Sequence, residues 1–195
     1  MAYEIITRSF FPEGFQEKLS AISYEKDIDG LRDNNPIFQV SATSETIFRI
    51  VGPFVEDNDI VAVVGAKGFV GGGVIKLLEE GEITTLCLDY GDDLLQTRNA
   101  NIVISATGVP ELLDERHITP EHRLVVDAGF IPLADSPILG DVNRSAYDIP
   151  QGITPVPGGV GPFQMATLME RLVAITCEKE FKPWTIQASE VTPLD

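Results

Sequence analysis

Residues 60–81 read IVAVVGAKGFVGGGVIKLLEEG. The first five residues are an apolar, mostly β-branched run of strand length, bounded by Gly65. A glycine-rich loop, 65–73, follows, and a helix is expected over about 71–80, ending at Glu79-Glu80-Gly81. The same alternation continues downstream. Residues 83–88 (ITTLCL) read as a second strand closing on Asp89, and 92–98 as a short helix. Residues 101–105 (NIVIS) form a third strand, followed by Ala106-Thr107-Gly108; 123–127 (RLVVD) form a fourth, followed by Ala128-Gly129. Continuous apolar strands separated by helices imply parallel βαβ units with both faces covered, hence an α/β fold around a doubly wound parallel sheet.

The loop carries Gly65-x-x-Gly68-x-x-Gly71, a variant of the dinucleotide fingerprint G-x-G-x-x-G with its second position shifted. Its context is the required one, because it follows a buried strand, opens a helix and has an acid at the end of the next strand. That acid, Asp89, lies 24 residues beyond Gly65. A carboxylate there accepts both ribose hydroxyls of NAD and repels a 2′-phosphate, or it is an ordinary strand-end acid. The candidate cofactor loop is Gly65, Ala66, Lys67, Gly68, Phe69, Val70 and Gly71, with Lys67 facing either the pyrophosphate or solvent. Ligands of open parallel sheets bind at the carboxyl ends of the strands. Thr107-Gly108 and Ala128-Gly129 therefore either line the nicotinamide side or are plain tight turns.

A second stretch, 153–170 (ITPVPGGVGPFQMATLME), places Pro155, Pro157 and Pro162 among Gly158, Gly159 and Gly161. Proline fixes φ and glycine bares the backbone, so the segment specifies one rigid loop, either a stiff linker or a ligand-facing wall. A helix is expected over about 162–181, with Phe163, Ala166, Leu168, Met169, Leu172 and Val173 as its apolar side. Helices are also expected over 13–22 and within 42–54, the latter capped by Thr43 or Ser44, and a short strand over 3–7. Residues 130–152 read as loop, with ILGDV (138–142) as a short strand inside it.

The chain of 195 residues is 44% hydrophobic and carries a net charge of −16. That charge argues against a nucleic-acid or anionic-membrane surface. No apolar run is long enough to span a bilayer, and the first residues lack signal-peptide features. Cys87 and Cys177 read as small core residues without a disulfide, which fits a cytoplasmic protein. His117 and His122 make a poor metal site and are expected at the surface.

These pieces together resemble the methylenetetrahydrofolate dehydrogenase/methenyltetrahydrofolate cyclohydrolase family. The carriers are ITPVPGGVGP (153–162), KDIDG (26–30), the 65–71 loop, ATGVP (106–110), VDAG (126–129) and GDV (140–142). The resemblance implies a Rossmann-like domain over 55–182, a remnant of a substrate lobe over 1–54 and a tail over 183–195. It implies that Asp29 holds a pterin ring, and that Pro157, Gly158 and Gly159 lie beside both folate and nicotinamide. The family's GRSxIVG loop has Arg and Ser where this chain has Ala66 and Lys67. With Asp89, that departure points to NAD over NADP. The Tyr-x-x-x-Lys motif of the cyclohydrolase step has no counterpart. Arg8-Ser9-Phe10-Phe11-Pro12 replaces QLPLP, and Ser41-Ala42-Thr43-Ser44 replaces PCTP.

The resulting expectation is hydride transfer between a one-carbon reduced pterin and NAD, without cyclohydrolase activity. The alternatives are a non-catalytic nucleotide-binding module, or one subunit of a split enzyme whose other chain supplies the rest of the lobe. A homodimer is expected if Leu168, Leu172, Val173 and Ile175 are not covered by residues 3–22.

Overall fold

The computed structural model describes residues 14–133, 136–177 and 184. The strand expected at 3–7 and the tail apart from Trp184 lie outside the described residues. Four strands, β1 (Ile60–Val64), β2 (Thr84–Leu88), β3 (Ile102–Ser105) and β4 (Leu124–Asp127), form a parallel sheet in the order β2-β1-β3-β4. Ile153 adds a parallel bridge to Val125, so the chain entering the Pro/Gly loop runs beside β4. The architecture is the Rossmann-like α/β fold expected.

Alternation along the strands divides the core in two. Val61, Val63, Ile104 and Val126 face one side, where they pack with Ile47, Ile50, Val74 and Leu78. Ala62, Val64, Val103 and Val125 face the other, with Leu88, Leu113, Ile118 and Val142. The first layer is supplied by α2 (Ala42–Val51) and α3 (Phe69–Glu80); a shorter helix, α1 (Phe15–Ser20), precedes them, and α4 (Val160–Cys177) closes the described fold. Helix α3 starts two residues earlier than the sequence pattern suggests. A glycine, Gly68, occupies its N-cap without any side-chain cap.

Several local expectations are corrected. The N-cap of α2 is Ser41, whose Oγ accepts the Ser44 N–H at 3.0 Å; Ser44 Oγ instead donates to the Val70 carbonyl of α3. Cys87 is exposed rather than core, because β2 is the edge strand, and Cys177 is exposed at the last residue of α4; both are free thiols. His117 and His122 are buried, not at the surface. Their loop has backbone groups that need partners inside the protein. His117 Nδ1 accepts the Asp114 N–H, His122 Nδ1 accepts the Thr119 N–H, and His122 Nε2 donates to the Thr97 carbonyl. Burial pushes the His122 pKa down, keeping the ring neutral in these roles. Within 130–152, the short strand expected at 138–142 lies earlier, as β6 (Ser136–Leu139), and it pairs antiparallel with a strand the sequence reading did not foresee, β5 (Ile131–Leu133).

Helix α4 departs most from its pattern. Its buried residues are Val160, Thr167 and Arg171, while Phe163, Met169, Leu172 and Val173 are exposed. Hydrogen bonding wins over apolar periodicity here. Thr167 Oγ1 meets Thr46 Oγ1 at 2.7 Å, and Arg171 reaches Glu45 and the carbonyls of Ile28 and Val40. Trp184 lies over Phe163 with ring centroids 5.3 Å apart, and its Nε1 donates to Thr167.

Candidate coenzyme and substrate site

The glycine loop turns where β1 ends. Gly65 has φ of 88°, and a Cβ there would sit 2.6 Å from the Ala106 carbonyl oxygen. The N–H groups of Gly65 and Ala66 both donate to the Leu88 carbonyl, pinning the loop to the end of β2. Gly71 packs the first turn of α3 onto the loop, since a Cβ there would lie 2.1 Å from the Gly65 carbonyl oxygen. The first α-helical bond in this turn is Gly72 N–H to Gly68 O. Among the described residues, the N–H groups of Phe69, Val70 and Gly71 meet no acceptor. They are the free donors at the positive end of a helix dipole, the arrangement that receives a pyrophosphate.

Asp89 stands at the end of β2 beside this loop. Its Oδ2 accepts the Lys67 N–H at 2.6 Å and its Oδ1 accepts the Tyr90 N–H at 2.8 Å. The carboxylate is thus fixed against the loop rather than free in solvent. Thr107 and Gly108 follow β3, and Ala128 and Gly129 follow β4, so both pairs sit on the same carboxyl edge. Gly108 has φ of 67°.

The Pro/Gly loop reaches that edge too. Thr154 N–H donates to the Val125 carbonyl, and Thr154 Oγ1 accepts the Asp127 N–H. Arg144 holds the Val156 carbonyl at 2.6 Å, the Val156–Pro157 peptide is cis, and Gly159 N–H donates to Pro155 O. Pro157, Gly158 and Gly159 are therefore placed next to the end of β4 and lead straight into α4.

Asp29 lies in the loop before α2, at the level of Arg171 on α4. Arg171 binds the neighbouring Ile28 carbonyl, and the Asp29 carbonyl accepts the Ala42 N–H. Arg171 lies about three turns, ~16 Å, along α4 from Val160. No hydrogen bond among the described residues joins Asp29 to residues 157–159. Asp29 Oδ1 is buried with no hydrogen-bond partner among the described residues, and burial raises its pKa, partly offset by Arg171. Gly30 shares a cleft of about 220 Å³ with Phe69, Gly72 and Lys76, so the KDIDG loop does adjoin the start of α3. Sequence reasoning missed Arg171, because an arginine amid apolar helix positions reads as a solvated charge.

Two buried carboxylates, Asp127 and Asp141, underlie the edge. Burial pushes Asp127 up to about 6, against the lowering effect of the Val142, Asp141 and Gly129 N–H groups. Its folded value exceeds the ordinary value of 3.8, so the native state binds this proton more tightly than the unfolded chain. The stability from this group is full below the unfolded value and is lost as pH rises through about 6. Carboxyl carbon NMR should show Asp127 titrating near the higher value; an ordinary carboxylate midpoint would contradict the burial argument.

A model described as the tetrahydrofolate dehydrogenase/cyclohydrolase NAD(P)-binding domain matches residues 41–180. The bifunctional protein FolD of Bordetella petrii is 35% identical over 169 residues, covering 80% of this chain and 56% of that protein. FolD of Limosilactobacillus reuteri is 33% identical over 175 residues, covering 87% and 60%. The chain thus spans less than two thirds of these relatives' length. The bifunctional dehydrogenase/cyclohydrolase of Thermoplasma acidophilum superposes with a TM-score of 0.74 at 28% identity, covering 86% of this chain and 65% of that one. The Trypanosoma brucei enzyme, solved with NADP cofactor and an inhibitor, superposes at 0.69 with 28% identity, covering 84% and 62%. On the match over 41–180 and the shared sheet, the chain belongs to the tetrahydrofolate dehydrogenase/cyclohydrolase family through its NAD(P)-binding domain.

Proposed function

We propose that this protein binds a nicotinamide dinucleotide at the carboxyl edge of its sheet and transfers hydride between it and a reduced pterin carrying a one-carbon unit. The observation that carries this reading is the first turn of α3, where the N–H groups of Phe69, Val70 and Gly71 meet no acceptor among the described residues, beside Asp89 and with the Pro/Gly loop on the same edge. Hydride transfer needs no proton from the protein. It needs the nicotinamide held rigidly against the substrate in a site that excludes water. The Pro/Gly loop, tied to β4 at Thr154, supplies such a wall for a coenzyme bound across the edge. Asp29, whose buried Oδ1 has no hydrogen-bond partner among the described residues, is the group for the pterin. The test is formation of reduced nicotinamide from methylenetetrahydrofolate by the purified protein. Turnover supports the reading, and its absence across all protein concentrations removes the stand-alone form.

The preferred coenzyme is NAD. Although the Trypanosoma brucei relative holds NADP, Ala66 offers no cation to a 2′-phosphate and the Asp89 carboxylate repels one. Asp89→Ala should weaken NAD about 10-fold and narrow the gap to NADP, as calorimetry would show. Equal loss of both coenzymes would remove Asp89 from the specificity argument.

A second reading, a nucleotide-binding module without turnover, draws on Ser41 and Ser44. They stand where the resemblance expects a substrate segment, yet both are committed to capping α2 and binding Val70. Coenzyme binding without reduction would favour it. On this reading the protein acts in the cytoplasm, as a homodimer or with a chain that completes the substrate side. Met165, Met169, Leu172 and Val173 form an exposed stripe on α4 suited to self-association. Sedimentation should give a dimer that Met169→Lys weakens.

A further inference from the structure

The carboxyl edge is joined below its surface by polar contacts that the coenzyme reading does not use. Asp141 Oδ2 accepts Ser105 Oγ at 2.9 Å and the Thr107 N–H at 2.7 Å. It therefore fixes the turn after β3. Asp127 Oδ1 accepts the N–H groups of Gly129 and Asp141, both at 2.9 Å, and its Oδ2 accepts the Val142 N–H at 3.0 Å. It therefore fixes the turn after β4 and carries Asp141 with it. The two carboxylates are 1% and 0% exposed, so they touch no coenzyme themselves. Their fit demands a missing side chain, because a Cβ on Gly129 would lie 2.4 Å from Asp141 Oδ1. Asp141 Oδ1 has no hydrogen-bond partner among the described residues.

A buried carboxyl with an unpaired oxygen costs stability. A side chain kept at such a cost, and bonded to the backbone of one turn, indicates a demand for geometry rather than for stability. We infer that Asp141 is a positioning residue for the nicotinamide end of the coenzyme, acting by holding the 105–108 turn in register with the 127–129 turn. The inference rests on the coenzyme reading above, and it divides the dinucleotide in two. The adenosine and pyrophosphate half meets Gly65–Gly71 and Asp89, none of which bonds Asp141. The nicotinamide half meets the two turns that the carboxylates hold.

The division makes the inference testable by calorimetry with two probes, NAD and ADP-ribose, which lacks the nicotinamide. Asp141→Ala should weaken NAD about 10-fold or more while leaving ADP-ribose within about twofold. Asp141→Asn keeps an oxygen acceptor for Ser105 and Thr107 and should recover most of the NAD affinity. Equal losses for both probes would overturn the inference in favour of a general structural role, as would unchanged NAD binding. If Asp141→Ala does not fold, Ser105→Ala removes one of the two donors with little loss of volume. It should show the same selective loss at about two- to fivefold, and an equal effect on both probes overturns the inference. A wild-type protein that binds neither probe would instead defeat the coenzyme reading itself.

Discussion

Gly71→Ala is expected to abolish measurable coenzyme binding and to lower stability by about 2–4 kcal/mol. The added Cβ would stand 2.1 Å from the Gly65 carbonyl oxygen, a backbone atom with no rotamer to move. Either the first turn of α3 lifts away or the loop opens, and both disperse the three free N–H groups. Gly65 cannot yield easily, because its own N–H is bonded to Leu88 and a side chain there would strike Ala106. Thermal unfolding and calorimetry with NAD check the two effects. A variant as stable as the wild type, with unchanged affinity, would show that the loop and helix are not packed as described.

Arg171→Met is expected to cost about 2–4 kcal/mol despite the similar volume. The guanidinium is 4% exposed and ties three segments together, through Glu45 on α2 and the carbonyls of Ile28 and Val40, with Phe38 beneath it at 4.4 Å. The loss stays below that of a fully orphaned pair because Glu45 keeps Arg49 at 2.9 Å. Among the described residues the Ile28 and Val40 carbonyls have no other donor. Asp29 would also lose the Arg171 cation that lowers its pKa, so its pKa should rise further. Chemical denaturation measures the first effect and carboxyl NMR the second. Unchanged stability would mean that water replaces the guanidinium without cost.

The sheet was legible because each strand is an unbroken apolar run between turn residues, a pattern that β1, β3 and β4 satisfy with buried side chains. Edge position was not legible. Cys87 lies in a run as apolar as the others, and only strand order shows that β2 has one side uncovered. The glycine loop was readable through its strand, helix and acid. Its tightest requirement, Gly71 against Gly65, was visible as a spacing but not as a contact. Polar groups buried by hydrogen bonds escaped reading altogether. Arg171, Thr167, His117 and His122 have residue types usually found outside, and the carbonyls or N–H groups that bring them in lie far away in sequence. Asp127 and Asp141 stood within motifs noted for resemblance, but nothing in a linear chain shows that one carboxylate binds the backbone N–H of the other.

One dinucleotide is proposed to lie along the carboxyl edge from Gly65 to Gly129. Amide NMR of the protein titrated with NAD tests it most directly. Shifts are expected to concentrate at Phe69, Val70, Gly71, Tyr90, Thr107, Gly108 and Gly129, with little change at Tyr24–Lys26 or β5. Saturating NAD that leaves the N–H groups of Phe69, Val70 and Gly71 unmoved would contradict it.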